Sequence, residues 1–235
     1  MSDLLRTTRE QLKTLVSPGF AGQLRWFFHE PVDPYGVRSP QVQQVARAVY
    51  HEVKGWSVAQ RDQFINDLWK SGKLEEGVIA CHVYRRFSKQ CGTREFAMFE
   101  RWINRYVRNW SHTDGVAAWL IAASIANEPE LISKLPAWTK SRNRWKRRAA
   151  AVSLLQEAKQ GRNTESIFQI CELLRNDSDE MVQKGLGWLL KETYPRKPRE
   201  VIGFLDGWRS TAPRLVLRYA AEKMTPKDKQ WLLRG

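Results

Sequence analysis

The chain has 235 residues, 42% of them hydrophobic, and sets 39 Lys and Arg against 25 Asp and Glu for a formal net charge of +14 and a pI near 10.0. That length buries a core in one large domain or two small ones, and the hydrophobic share is that of an ordinary folded protein. The basic excess attracts polyanions by counterion release, nucleic acid foremost, while the sequence holds no apolar run long enough to span a membrane.

The N-terminal stretch "MSDLLRTTREQLKTL" scatters Asp, Arg and Glu through its length and has no apolar core segment. It does not read as a secretory signal, so a cytoplasmic protein is expected. The first 40 residues read as a helical cap that ends in "EPVDPYG". Helical periodicity then takes over. "PQVQQVARAVYHEV" places Val42, Val45, Val49 and Val53 on one stripe, and "RDQFINDLWKSG" does the same with Phe64, Leu68 and Trp69. Strand-like alternation and hairpin dipeptides are missing, so the fold class is all-α. Cys81, Cys91 and Cys171 are odd in number and widely spaced, and His29, His51, His82 and His112 share no ligand spacing with them. Neither a disulfide framework, a metal nor a cofactor is expected.

A repeat follows. Small residues sit inside apolar helical runs at Gly77, Gly115, Ala149, Gly185 and Ala220, separated by 38, 34, 36 and 35 residues. That is the length of one helix–turn–helix unit of a HEAT-like array. Glycine inside a helix costs up to about 1 kcal/mol against alanine, so close helix packing is the reason to keep it. Breaks at 127–130, 134–138, 159–163 and 194–200 fall where connections are due. The expected architecture is a single domain over 1–235: a cap over 1–40, repeats over 41–225 and a tail over 226–235. Its antiparallel helix pairs would stack into a solenoid with a curved, concave, basic groove. The residues just before the small ones are Glu76, Asp114, Arg148 and Lys184. If the register holds, the last three line one groove.

Within that frame "RNWSHTDGV" (108–116) raises a question, because it places Trp110 four residues ahead of Asp114 on one helix face. One reading is a cap: "SHTD" fits the capping-box pattern with Ser111 at the N-cap, and Ser141 and Ser178 are candidate caps further on. The other reading is an indole and a carboxylate waiting for a cation. Downstream, "SRNRWKRRAA" packs Arg142, Arg144, Lys146, Arg147 and Arg148 into seven residues. Cations sit poorly at a helix N-terminus, so phosphate binding is the better account of them. Of the 11 tryptophans, Trp26, Trp69, Trp102, Trp119, Trp138, Trp145, Trp208 and Trp231 fit packing stripes or connections. Trp110 and Trp188 have polar or basic neighbours and suit a surface facing bases or sugars.

Together these stretches resemble the AlkD-type alkylpurine DNA glycosylases, over roughly residues 20–225. The likeness is clearest in "NWSHTD", in "NEPELISKLPAWTKSRNRWKRRAA" and in "VQKGLGWLLKETY", and "DPYGVRSP" (33–40) resembles the family's entry to its second helical unit. The family's Trp-then-Asp motif falls on Trp110 and Asp114, its basic residue before paired alanines on Arg148, and its second tryptophan on Trp188. Where some members carry an acid after the first tryptophan, this chain has Ser111. The family's N-terminal cleft aromatic has two candidates, Trp26 and Phe27.

The resemblance implies a monofunctional, cofactor-free DNA repair glycosylase that removes N3- and N7-alkylated purines from duplex DNA in base excision repair. It implies a mode in which the base is not fully flipped out. Asp114, Trp110 and Trp188 would stabilise the oxocarbenium-like sugar cation, while Arg148, Arg147, Arg144 and Lys184 hold the DNA backbone. A monomer suffices, since one lesion needs one groove. The alternative with the same charge and fold is a non-catalytic HEAT-repeat module that binds DNA or RNA.

Overall fold

The structure, a computed structural model, describes residues 2–234. Met1 and Gly235, the ends of the expected domain, lie outside the described residues. The fold is all-α, as the periodicity predicts; among the described residues the β-type pairing is one isolated bridge between Asp33 and Lys73. The chain divides into two compact units, Met1–Ala123 and Ser124–Gly235. No described helix is long and apolar enough to cross a membrane.

The first unit comprises α1 (Ser2–Thr14), α2 (Phe20–Phe27), α3 (Ser39–Val53), α4 (Val58–Lys70), α5 (Leu74–Arg85), α6 (Thr93–Arg105) and α7 (Trp110–Gly115). The α3 stripe of Val42, Val45, Val49 and Val53 is buried, as are Phe64, Leu68 and Trp69 on α4. Two acids at the start of α5 are also buried, because each is saturated with donors. Glu75 accepts the backbone amides of Tyr35, Gly36 and Val37 at 2.8–3.0 Å. Glu76 accepts a two-pronged contact from Arg9 and the Tyr35 hydroxyl at 2.6 Å. The segment before α3 is thereby tied to α5. At its turn Gly36 has φ +96°, and a Cβ there would stand 2.9 Å from the Ala21 amide nitrogen, so only glycine fits. Glu76 is thus the buried half of a structural ion pair with Arg9.

The small residues do allow close helix approach. A Cβ on Gly77 would meet the His112 ring at 2.5 Å, and one on Gly115 would meet the Cys81 sulfur at 3.0 Å, so α5 and α7 touch through both glycines. After α7 the helix widens into a π-type segment over Val116–Ile121, where the Ala122 amide donates five residues back to the Ala117 carbonyl. It then resumes as α8 (Ala122–Asn127), which contains the boundary between units.

The second unit continues with a 3₁₀ turn (Pro129–Lys134), α9 (Leu135–Trp138), α10 (Arg144–Val152), α11 (Leu155–Gln160), α12 (Thr164–Leu174), α13 (Glu180–Thr193), α14 (Pro198–Asp206), α15 (Arg214–Ala220) and α16 (Pro226–Leu233). The expected break at 134–138 is instead a one-turn helix, since Pro136 sits at its start, where a missing amide costs nothing. The expected tail is also helical: the Thr225 side chain caps α16 and Leu232 is fully buried. The core of the unit is α13, packed between α10 and α15. On α13, Gly185 faces Arg148, whose Cγ would lie 3.2 Å from an added Cβ. Gly187 is tighter still, because its Cβ would come to 2.5 Å from Tyr219 Cβ and 2.9 Å from the Val216 carbonyl oxygen. Backbone cannot swing aside, so Gly187→Ala is expected to destabilise the protein by about 1–3 kcal/mol in urea unfolding. An unchanged midpoint would show that α13 and α15 separate easily.

Candidate functional site

The cap reading of Asp114 fails on the structure. The N-cap of α7 is Asn109, whose side chain accepts the His112 amide at 2.9 Å. Ser111 lies inside the helix. The same correction applies downstream: Asn143, not Ser141, caps α10, and Asp179, not Ser178, caps α13. Each true cap lies six positions ahead of its small residue: Asn109 before Gly115, Asn143 before Ala149, Asp179 before Gly185. Asp114, Arg148 and Lys184 consequently occupy the same position in three successive capped helices. The register inferred from the small residues is thus reproduced by the hydrogen bonds that start the helices.

His112 locks the start of α7. It is buried, its Nε2–H donates to the Leu74 carbonyl at 2.8 Å, and its Nδ1 accepts from the Asn109 side-chain amide at 3.2 Å. A carbonyl only accepts, so this arrangement requires the neutral Nε2–H tautomer. Burial pushes its pKa down to about 4, against the opposing pull of the Leu74 hydrogen bond. Half-buried Trp110 stands at the first position of the same helix, stacked on Phe28 with ring centroids 5.1 Å apart and planes at 17°. Phe27 meets it edge-on at 5.9 Å. A cavity of about 190 Å³ opens beside these rings, walled also by Leu24, Val78 and Ser111. Of the two N-terminal aromatics singled out, Phe27 reaches this site. Trp26, otherwise grouped with the packing tryptophans, is 84% exposed on α2. Phe28, which carries the closest stacking contact, was missed; its signal was its place beside Phe27 at the end of an apolar helix.

In the second unit, Arg148 is 6% exposed, lies against Gly185 and donates to the Met181 carbonyl. Trp188 is half-buried and its indole N–H donates to Glu192 at 3.3 Å. Burial works to raise the Glu192 carboxyl, but the Lys223 contact at 2.6 Å, the Lys159 charge and the Trp188 hydrogen bond together hold that carboxyl below its ordinary range. The basic stretch is more committed than the sequence alone suggests. Arg147 grips Asp177 through two nitrogens at 2.6 and 3.2 Å, and Arg144 pairs with Asp179 at 3.2 Å while lying over the Trp145 ring. Lys184 pairs with Glu180 at 2.9 Å. The cations that would sit poorly at the start of α10 are therefore neutralised by the acids that start α13.

Residues 8–224 match the family described as DNA alkylation repair enzyme. A comparison with curated protein sequences finds no match. Among solved structures, the fold is similar to a predicted DNA alkylation repair enzyme from Enterococcus faecalis, with a TM-score of 0.81 at 16% identity over 90% of this chain and 97% of that one. It is also similar to AlkD2 from Streptococcus mutans, with a TM-score of 0.64 at 19% identity over 94% and 97% of the two chains. A third, smu.31 from Streptococcus mutans UA159, gives 0.61 at 19% identity over 79% and 92%. With a match that spans nearly its whole length, on a repeat fold shared with these structures, this chain belongs to the DNA alkylation repair enzyme family.

Proposed function

We propose that the protein is a monofunctional, cofactor-free DNA glycosylase. It hydrolyses the N-glycosidic bond of positively charged N3- and N7-alkylated purines in duplex DNA, as a monomer acting on chromosomal DNA in the cytoplasm. The observation that carries this reading is the position of Asp114: a carboxylate one turn from half-buried Trp110, on a helix closed by Asn109, in a chain of net charge +14. Asn109, and not Asp114, closes the helix, and a carboxylate one turn from an indole is the pairing that stabilises a cation formed during reaction.

An alkylated purine already carries positive charge, so its departure needs no strong acid. What develops is positive charge on the deoxyribose, which a nearby carboxylate stabilises while orienting a water for attack at C1′. The exposed face of Trp110 adds cation–π attraction, about 0.5–2 kcal/mol, and its other face is fixed by Phe28. Trp188 is assigned the same aromatic role from the second unit. Arg148 and Lys184 contact backbone phosphates, and Arg144 and Arg147, held by Asp179 and Asp177, support the same strand. The site uses the backbone as its handle, so the lesion is not fully flipped out. The test is release of 7-methylguanine from methylated duplex DNA, with uracil- and hypoxanthine-containing duplexes alongside. Release of the cationic base alone supports the reading. Salt-sensitive DNA binding with no release would leave a non-catalytic DNA-binding repeat module, and excision of the neutral bases would contradict the cation mechanism.

A further inference from the structure

The four basic residues singled out in the sequence all have protein partners, whereas a second basic cluster in the first unit has none of the acidic kind. Arg47 on α3 and Arg85 and Arg86 at the end of α5 are exposed. None of the three is ion-paired among the described residues, in contrast to Arg144, Arg147 and Lys184. Two of them lie over aromatic rings: Arg85 is 4.8 Å from the Trp119 centroid, and Arg86 5.2 Å from that of Tyr50. A guanidinium stacked on a ring keeps its N–H edge for a ligand and loses little freedom on binding. His82, one turn back on α5, packs its ring 4.8 Å from Trp119.

Like charges gathered without counter-charge on a folded surface repel one another, and an anion relieves that repulsion. We propose that Arg47, Arg85 and Arg86 form a binding site for a backbone phosphodiester of the DNA substrate, with His82 as a proton-dependent fourth donor. This rests on the DNA-repair reading above and adds to it a site that lies outside the paired basic stretch of 142–148. Trp119 is five residues beyond Asp114 on the same continuous helix, roughly 7 Å along its axis. The ring under Arg85 and the Asp114 carboxylate therefore belong to one rod, so a phosphate bound at Arg85 is held by the element that carries Asp114.

The charges facing His82 are Arg47 from α3 and Arg85 and Arg86 from its own helix, with the Trp119 ring on its other flank. On α4, Asp62 and Arg61 face Tyr84 and Phe87 instead. Burial, then the three arginines, hold His82 below the ordinary imidazole range, so it is neutral at pH 7. A bound phosphate offsets the arginines and favours the imidazolium, so affinity rises as pH falls. His51, near Tyr50, is present in every variant below and cancels in comparison.

The experiment measures affinity for an unmodified 20-base-pair duplex by fluorescence anisotropy across salt concentration and at pH 8.0 and 5.5. Base release is followed in parallel. The variants are the triple substitution Arg47→Gln, Arg85→Gln, Arg86→Gln and the single substitution His82→Gln, each checked by thermal melting. All three arginines are exposed, so folding is expected to be intact. The triple variant should bind about tenfold or more weakly, with a salt slope shallower by about 0.9 for each phosphate no longer neutralised. His82→Gln should tighten less than the wild type between pH 8.0 and pH 5.5, and equal tightening in the two would remove His82 from the site. An unchanged affinity and slope in the triple variant overturn this site, and if 7-methylguanine is still released the glycosylase reading survives alone. A flattened salt slope in the triple variant upholds the site, and absence of base release by the wild-type protein overturns the glycosylase.

Discussion

Asp114→Asn is expected to slow 7-methylguanine release at least tenfold, a loss of about 1.4 kcal/mol or more of barrier lowering. The substitution is nearly isosteric, and because Asn109 caps α7 it leaves the start of the helix alone. What it removes is one negative charge. A unit charge about 4 Å from a developing cation near a protein surface is worth up to about 4 kcal/mol, so a tenfold effect is the lower end of what a direct role would give. Binding should move the other way. Removing an acid from a basic surface leaves affinity for unmodified duplex unchanged or tighter, so the loss falls on kcat and not on KM. A variant that releases the base at the wild-type rate would overturn the role of Asp114. A variant that loses rate only because it no longer binds DNA would place the carboxylate in folding or docking.

Acid should weaken the fold through His112. Its folded-state pKa of about 4 lies below the ordinary value of 6.5, so the unfolded chain binds the proton more readily and stability rises with pH across this window. The stabilisation is complete above about pH 6.5 and drains away as pH falls toward 4, by about 2 kcal/mol at pH 5 and about 3 kcal/mol at the limit. The geometry explains the direction. A proton on Nδ1 would face the Asn109 amide donor, and the ring has no water to retreat to. Urea unfolding at pH 7.5 and pH 5.0 should show this difference for the wild type and a smaller one for His112→Gln, whatever the variant's own stability. Equal pH dependence in both would assign acid sensitivity elsewhere.

The helices and their register were legible because both follow from local pattern: apolar spacing in α3 and α4, and small residues wherever helices meet. The pairing of Trp110 with Asp114 was legible for the same reason, since four residues make one turn. What escaped involved choices that local pattern does not decide. Serine, asparagine and aspartate all accept a capping hydrogen bond, and only the folded chain selects Asn109, Asn143 and Asp179 over the nearby serines. The partners of Arg144 and Arg147 are more than 25 residues away, at Asp179 and Asp177. A charge run in isolation looks unpaired. Arg47, Arg85 and Arg86 show the reverse case, because they are scattered in sequence and gathered by the packing of α3 on α5. The exposure of Trp26 and the helix at 226–233 likewise depend on what the rest of the chain covers.

The wide segment over Val116–Ile121 sets the phase of the helix that runs through it. A turn of this kind holds about one residue more than the regular helix on either side. Excising Ala118, which is only partly buried, should let the segment relax to ordinary helix while the capped start with Trp110 and Asp114 stays as it is. Ala122 and Ala123, immediately beyond, would then be turned by about 100° against that start, so a single residue decides which face the helix presents past Trp110 and Asp114.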